Sequence, residues 1–216
     1  RLEQPHMLVP GQKPVCPVQI DWDHPLARDL VGFWLGGDLT NYVTRERGII
    51  TGSTVSRKVT QHGEGWANTG NNTNNRISYG DITSDNPLSL AGKNKATFFI
   101  LFEWGGYTVS NDFPRFFNKS TSGGGADGYA FYWDAGTTRF DFDLDSASRN
   151  TNIYSQPTSP ELMSVGVTYS NPRDVVDFYI KGEFDRGDEY LSLVTFPADT
   201  AEFSLMNWSH TTDREN

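Results

Sequence analysis

The sequence predicts an all-β chain, a sandwich or barrel, and three observations predict it. Apolar and polar residues alternate with a period of two through much of residues 96–206. Gly- and Pro-containing turn signals separate those runs at short intervals. No window of comparable length carries the 3.6-residue period of a helix. Composition agrees, with 21 Gly, 11 Pro and 13% aromatic residues against 21% charged. Aromatics fit a pleated, half-buried surface, and Gly supplies the positive φ that tight turns need. A length of 216 residues suits one large sandwich.

Taken in order, residues 1–20 hold Pro5, Pro10, Pro14 and Pro17. That spacing excludes a helix or a central strand and predicts an extended arm able to lie over a neighbouring chain. Residues 21–39 predict a short helical turn and then a first strand over 31–35, punctuated by Gly32, Gly36 and Gly37. Residues 40–80 are rich in Asn, Thr and Gly and read as loops with short strands at 48–51, 56–61 and 76–79. Beyond them the alternation is plain. Phe98, Ile100, Phe102 and Trp104 share one face, as do Tyr129, Phe131 and Trp133. Over 139–145, Phe140, Phe142 and Leu144 point one way and Asp141, Asp143 and Asp145 the other, towards solvent on this reading. Met163, Val165, Val167 and Tyr169 continue the pattern, then Val176, Phe178 and Ile180; strands at 190–196 and 202–206 close it. Lys181-Gly182 predicts a two-residue hairpin turn after residue 180. The expected organisation is an arm, 1–20, and a sandwich, 21–216.

Bulk properties exclude several function classes. Net charge is −9, and Lys and Arg are dispersed, which argues against a nucleic-acid surface. No apolar run is long enough to span a membrane as a helix. The first residues lack the basic–apolar–small pattern of a leader, so a mature chain, a fragment or export by another route such as phage lysis is expected. The one cysteine, Cys16, allows no internal disulfide, which fits a bacterial or phage chain folding in a reducing cytosol.

The order of elements resembles bacteriophage proteins carrying a laminin-G-like domain, over roughly residues 21–210. The stretch DWDHPLARDLVGFWL at 21–35 resembles their opening W-x-H-P-L-A-x-G-L-V. Residues 97–104 resemble their long central strand ending in Trp; FFNK at 116–119, a Gly-rich loop and GYAFYW at 128–133 resemble the next strand pair. Residues 162–169 followed by DFYIKGE at 177–183 resemble a hairpin ending in Tyr-(Ile/Val)-(Asn/Asp)-Gly, with Lys181 in place of Asn or Asp. The resemblance implies a concanavalin A-like jelly-roll β-sandwich, a fold that hosts lectins, glycosidases and scaffolding domains alike. In the family a further strand follows the segment equivalent to Asn207-Trp208. Here it would lie beyond the given residues or be supplied by another chain.

The segment Glu183-Phe-Asp-Arg-Gly-Asp-Glu189 invites comparison with the E-x-D-x-x-E strand of glucanases that share this fold. Retaining glycoside hydrolysis needs two carboxyl groups about 5–5.5 Å apart. The spacing from Asp185 to Glu189 is too long for that, and Arg186-Gly187 reads as a turn, so a solvated loop with local Arg186 pairing is expected. Asp141, Asp143 and Asp145 are the residues best placed to take a cation, calcium by their oxygen chemistry, although neighbours along one strand face stand about 7 Å apart and no cofactor is otherwise implied. His6, His24, His62 and His210 have no metal-ligand spacing. Sugars stack on aromatic faces beside amide or carboxylate acceptors, which selects Trp133-Asp134 and Asn207-Trp208 as carbohydrate-binding candidates.

The expected role is a non-enzymatic virion component on the particle surface, either capsid decoration or cement or part of a tail or fibre. It would assemble with other virion proteins and with copies of itself through the arm and loops. The alternative is a lectin-like carbohydrate-binding module for adsorption to a host surface, with a glycoside hydrolase third.

Overall fold

The computed structural model describes residues 19–69, 75–104, 112–120, 128–145, 147–154, 157, 159–173, 175–189, 195–198, 201–206 and 208–210, with the backbone alone at 112, 113, 172, 189 and 208–210. Its strands in chain order are β1 (Ile49–Thr51), β2 (Val55–Thr60), β3 (Gly63–Asn68), β4 (Arg76–Asp81), β5 (Lys95–Trp104), β6 (Asp112–Lys119) and β7 (Tyr129–Asp134). They continue with β8 (Arg139–Leu144), β9 (Ala147–Asn150), β10 (Glu161–Ser170), β11 (Val175–Ile180), β12 (Glu183–Glu189), β13 (Glu202–Leu205) and β14 (Trp208–His210). Three short 3-10 turns join them, and there is no α-helix among the described residues.

The strands form two antiparallel sheets and a hairpin. One sheet runs β1-β4-β13-β6-β7-β8-β9, with β14 pairing the start of β6. The other runs β12-β11-β10-β5. The β2–β3 ribbon stands beside them and touches the second sheet where the His62 imidazole comes within 4.0 Å of Glu103. Alternation places Phe117, Phe131, Phe140, Phe142 and Phe203 on the inner face of the first sheet, against Met163, Val165, Val167, Val176 and Phe178 of the second. Phe98 stacks on Phe117 at 4.6 Å, Phe102 meets Phe116 at 4.7 Å, and Trp104 meets Trp133 edge-on at 5.0 Å, so aromatic pairs join the sheets. The architecture is a jelly-roll β-sandwich.

Several local rules carry this arrangement. Lys181 (φ 54°) and Gly182 (φ 83°) form the turn expected between β11 and β12, both left-handed as a tight hairpin requires. Gly128 opens β7 so close to β6 that a Cβ there would collide with the Lys119 carbonyl oxygen. In the opening turn over Pro25–Ala27, His24 Nδ1 accepts from the Leu26 N–H at 3.2 Å. Asp29 takes φ 61° where the phage motif has glycine.

The structure corrects four expectations. Residues 31–35 make no strand: the Phe33 N–H donates to Asn41 Oδ1 (3.1 Å) and its carbonyl accepts from Tyr42 (2.8 Å), so a local loop takes the hydrogen bonds a ladder would need. Trp34 there stacks on Phe203 at 5.6 Å. Glu183–Glu189 is one continuous strand, because a bulge at Phe178/Tyr179 lets Arg186-Gly187 stay paired with β11. Of the strand expected over 190–196, residues 195 and 196 lie outside any strand, and 190–194 lie outside the described residues. Asp141 and Asp143 do not face solvent, being 4% and 3% exposed.

Candidate functional site

The described residues among those singled out by sequence do not form one exposed site. Trp133 is fully buried, packed edge-on against Trp104 and Phe140, and its faces are spent on the core. Asp134 is buried as well; its Oδ1 accepts from the N–H groups of Gly136 (2.8 Å) and Thr137 (3.2 Å) and holds the β7–β8 turn. Asn207, the arm prolines Pro5, Pro10, Pro14 and Pro17, and Cys16 lie outside the described residues, and of Trp208 only the backbone pairing with Pro114 is described. Asp141 and Asp143 do point away from the core, opposite Phe140 and Phe142. The Tyr132 hydroxyl donates to Asp143 at 3.2 Å, and Ala130, Arg115 and Asn118 are buried around them. Asp145, exposed at φ 47°, belongs to the turn that follows. Among the described residues no group of three His, Cys, Asp or Glu side chains could hold a metal ion.

A different surface stands out. The outer face of the four-stranded sheet follows from the strand register. Phe99 of β5 is opposite Gly166 of β10, Gly166 is opposite Tyr179 of β11, and Tyr179 is opposite Phe184 of β12. Side chains on one face of facing strands form a row across the sheet. Phe99 is 68% exposed and Phe184 61%, values that fit rings lying on the surface. Tyr179 and Phe184 meet edge-on with centroids 5.9 Å apart. Leu101 (61%) and Leu162 (39%), on the same face, widen the apolar surface. Soluble proteins rarely leave a contiguous apolar patch open without a binding partner for it.

Between the rings the floor is small and polar. A Cβ on Gly166 would lie 3.6 Å from Tyr179 Cβ and 3.8 Å from Phe99 Cδ2, so the two rings flank it closely. Thr97 faces Thr168 in the next row, and Ser164 faces Leu101 in the row on the other side. Asp177 of β11 brings a carboxylate onto this face opposite Thr168, and several charges around the sheet are paired. Arg173 donates to Asp177 at 3.1 Å, Lys181 pairs with Glu161, Arg186 with Asp188 at 3.4 Å, and His62 approaches Glu103.

One parity of β5, the alternation through Phe98, Ile100, Phe102 and Trp104, does not point to this face. In KATFFILFEW both parities are apolar in the middle, and Phe99 and Leu101 on the second face were the available signal.

No protein-family model and no curated protein matches the chain. Solved structures do. Domain 4 of AbnA, a GH43 extracellular arabinanase from Geobacillus stearothermophilus, in complex with arabinotriose, superposes with TM-score 0.53 at 16% identity, over 78% of this chain and 77% of that one. That likeness shows the fold. The binding domain of botulinum neurotoxin DC, in complex with rat synaptotagmin II, superposes with TM-score 0.50 at 12% identity, over 75% of this chain and 40% of that one. This chain therefore spans well under half of the toxin domain. A looser match is the CBM40 module of a Ruminococcus gnavus IT-sialidase, TM-score 0.43 and 11% identity, over 60% of this chain and 73% of that one.

Proposed function

We propose that the chain is a carbohydrate-binding module that takes its ligand on the outer face of the β12-β11-β10-β5 sheet. The observation that carries the reading is the row Phe99–Gly166–Tyr179–Phe184, with two phenyl rings more than half exposed and Thr and Ser hydroxyls beside them. A sugar ring has an apolar face of C–H groups and an equatorial belt of hydroxyls. Exposed aromatic rings cover the first, and short hydroxyl side chains hydrogen-bond the second. A shared fold with a domain observed with arabinotriose supports the same reading.

The module binds and does not hydrolyse on this reading. Asp185 Oδ2 accepts from the Asn152 N–H (2.9 Å) and Asn152 Nδ2 donates to the Asp185 carbonyl (3.1 Å), so that carboxylate clasps a loop. The opening segment at 21–35, by its resemblance to phage laminin-G-like proteins, suggests that the module is carried on a virion and serves adsorption. Mass spectrometry of purified particles tests that setting, and particles lacking the chain would rule it out.

The binding claim is tested by affinity electrophoresis through immobilised polysaccharides with the wild type and the Phe99→Ala/Phe184→Ala double variant. Retardation of the wild type and its loss in the double variant, with an unchanged melting curve, are expected. No retardation on any polysaccharide, or equal retardation of both proteins, contradicts the claim.

A further inference from the structure

We infer that the ligand is a neutral glycan chain of at least three sugar units, lying across the strands from β5 to β12 and not along them. This rests on the carbohydrate-binding reading above and specifies its ligand. Direction comes from the register. The aromatic side chains stand on different strands in one cross-strand row, with Phe99 at one edge of the sheet and Phe184 at the other. Three strand spacings separate them, roughly 14 Å at ordinary sheet geometry, the length of roughly three linked sugar rings.

The row offers an aromatic contact place at each end. Phe99 forms the first, with Leu101 and Leu162 on the same face. The Tyr179–Phe184 pair forms the second. Gly166 lies buried between Phe99 and Tyr179, so the middle of the row carries no projecting side chain. A single sugar or a disaccharide would leave one aromatic end uncovered, so affinity is expected to climb until the chain spans both ends.

Neutrality comes from the charges. Sialic and uronic acids need a cation within reach of their carboxylate. Among the described residues, the rows through Phe99 and Leu101 present Gly, Ser, Tyr, Phe and Leu, and the row through Thr97 runs through Thr168 to the carboxylate of Asp177, which adds a negative charge to the face. Of the cations beside this face, Arg173 pairs with Asp177 and Lys181 with Glu161, while Arg186 stands opposite Phe178 on the inward side of β12. Lys95 stands at one corner of the sheet, opposite Ser170 and two rows from Phe99. A net charge of −9 adds general repulsion towards polyanions.

Isothermal titration of the full chain with two series tests this. The neutral series comprises xylo-, arabino- and cello-oligosaccharides of two to five units; the acidic series comprises sialyllactose and oligogalacturonates of two to five units. The expected result is binding within the neutral series alone, strengthening about tenfold from two to three units and little beyond. Phe184→Ala should remove that step while leaving disaccharide binding nearly unchanged, and the circular dichroism spectrum confirms that the variant folds. Tighter binding of the acidic series, or a disaccharide as good as a trisaccharide, overturns this inference; sensitivity of that binding to Phe99→Ala would keep the carbohydrate-binding face. Failure of both series at millimolar concentration overturns the carbohydrate reading itself.

Discussion

At the scale of single residues, the two kinds of aromatic side chain have opposite roles, and substitution separates them. Trp133 fills the space between the sheets, so Trp133→Ala should cost about 3–5 kcal/mol through lost contacts and a cavity, a large part of a typical margin of about 5–15 kcal/mol. Phe184 lies on the surface, so Phe184→Ala should shift stability by no more than about 0.5 kcal/mol and weaken glycan binding roughly tenfold. Urea unfolding and titration calorimetry on the two variants check both halves. Charge at single residues sets the response to acid. Burial alone would raise the Glu202 carboxyl, but hydrogen bonds from Arg76 (Nε to Oε1 2.6 Å, Nη2 to Oε2 2.8 Å) and Ser78 outweigh it and hold the group below its ordinary 4.5. Burial likewise opposes, and hydrogen bonds from Tyr42 and Thr40 outweigh it, at Asp38, which is held below 3.8. A carboxylate with a lowered folded pKa contributes stability that is complete above its unfolded value and is lost as pH falls through the folded one. The melting temperature should therefore fall as pH drops below about 4.5, and Glu202→Gln should lower it at pH 7 while flattening that fall. A Glu202→Gln curve parallel to the wild type would contradict the assignment.

At the scale of elements, close approach and buried polarity decide what each strand tolerates. Gly128→Ala drives a methyl group into the Lys119 carbonyl oxygen where β6 and β7 meet, and should cost about 2–3 kcal/mol; chemical denaturation measures it. Asp143→Ala removes the acceptor of the buried Tyr132 hydroxyl and should cost about 1–3 kcal/mol, more than an exposed aspartate would. That buried layer is why alternation alone does not tell that Asp141 and Asp143 of β8 are covered. Strict alternation at 139–145 placed Phe140, Phe142 and Leu144 correctly on the core. It carried no information on what covers the opposite face, which depends on the register with β7 and β6. The same limit hid the candidate site. Phe99 is far in sequence from Tyr179 and Phe184, which flank one hairpin, and the three meet through three strand registers, one of them shifted by the bulge beside Tyr179. Hairpin chemistry was legible, since Lys181-Gly182 is a local signal, whereas β3 and β9 were not, being short, polar and rich in Gly, Ser or Asn.

At the scale of the molecule, the two sheets divide the work. The first sheet is covered on both sides around β6 to β8, with the aromatic core on one face and buried Arg115, Tyr132, Asp141 and Asp143 on the other. The second sheet keeps one face on the core and turns the other, with its aromatic row, outward. The sandwich thus presents a rigid, ladder-bonded platform, and a ligand settling on it need not order any loop, which keeps the entropic cost of binding low. The measurement that bears most directly on this account is a nitrogen–proton correlation titration of the full chain with xylo-, arabino- and cello-trioses. Whichever triose binds should shift amide signals along β5 and β10 to β12, strongest at Phe99, Gly166, Tyr179 and Phe184. Shifts concentrated on β6 to β8 or in the β7–β8 turn around Asp134, with β10 to β12 silent, would contradict it.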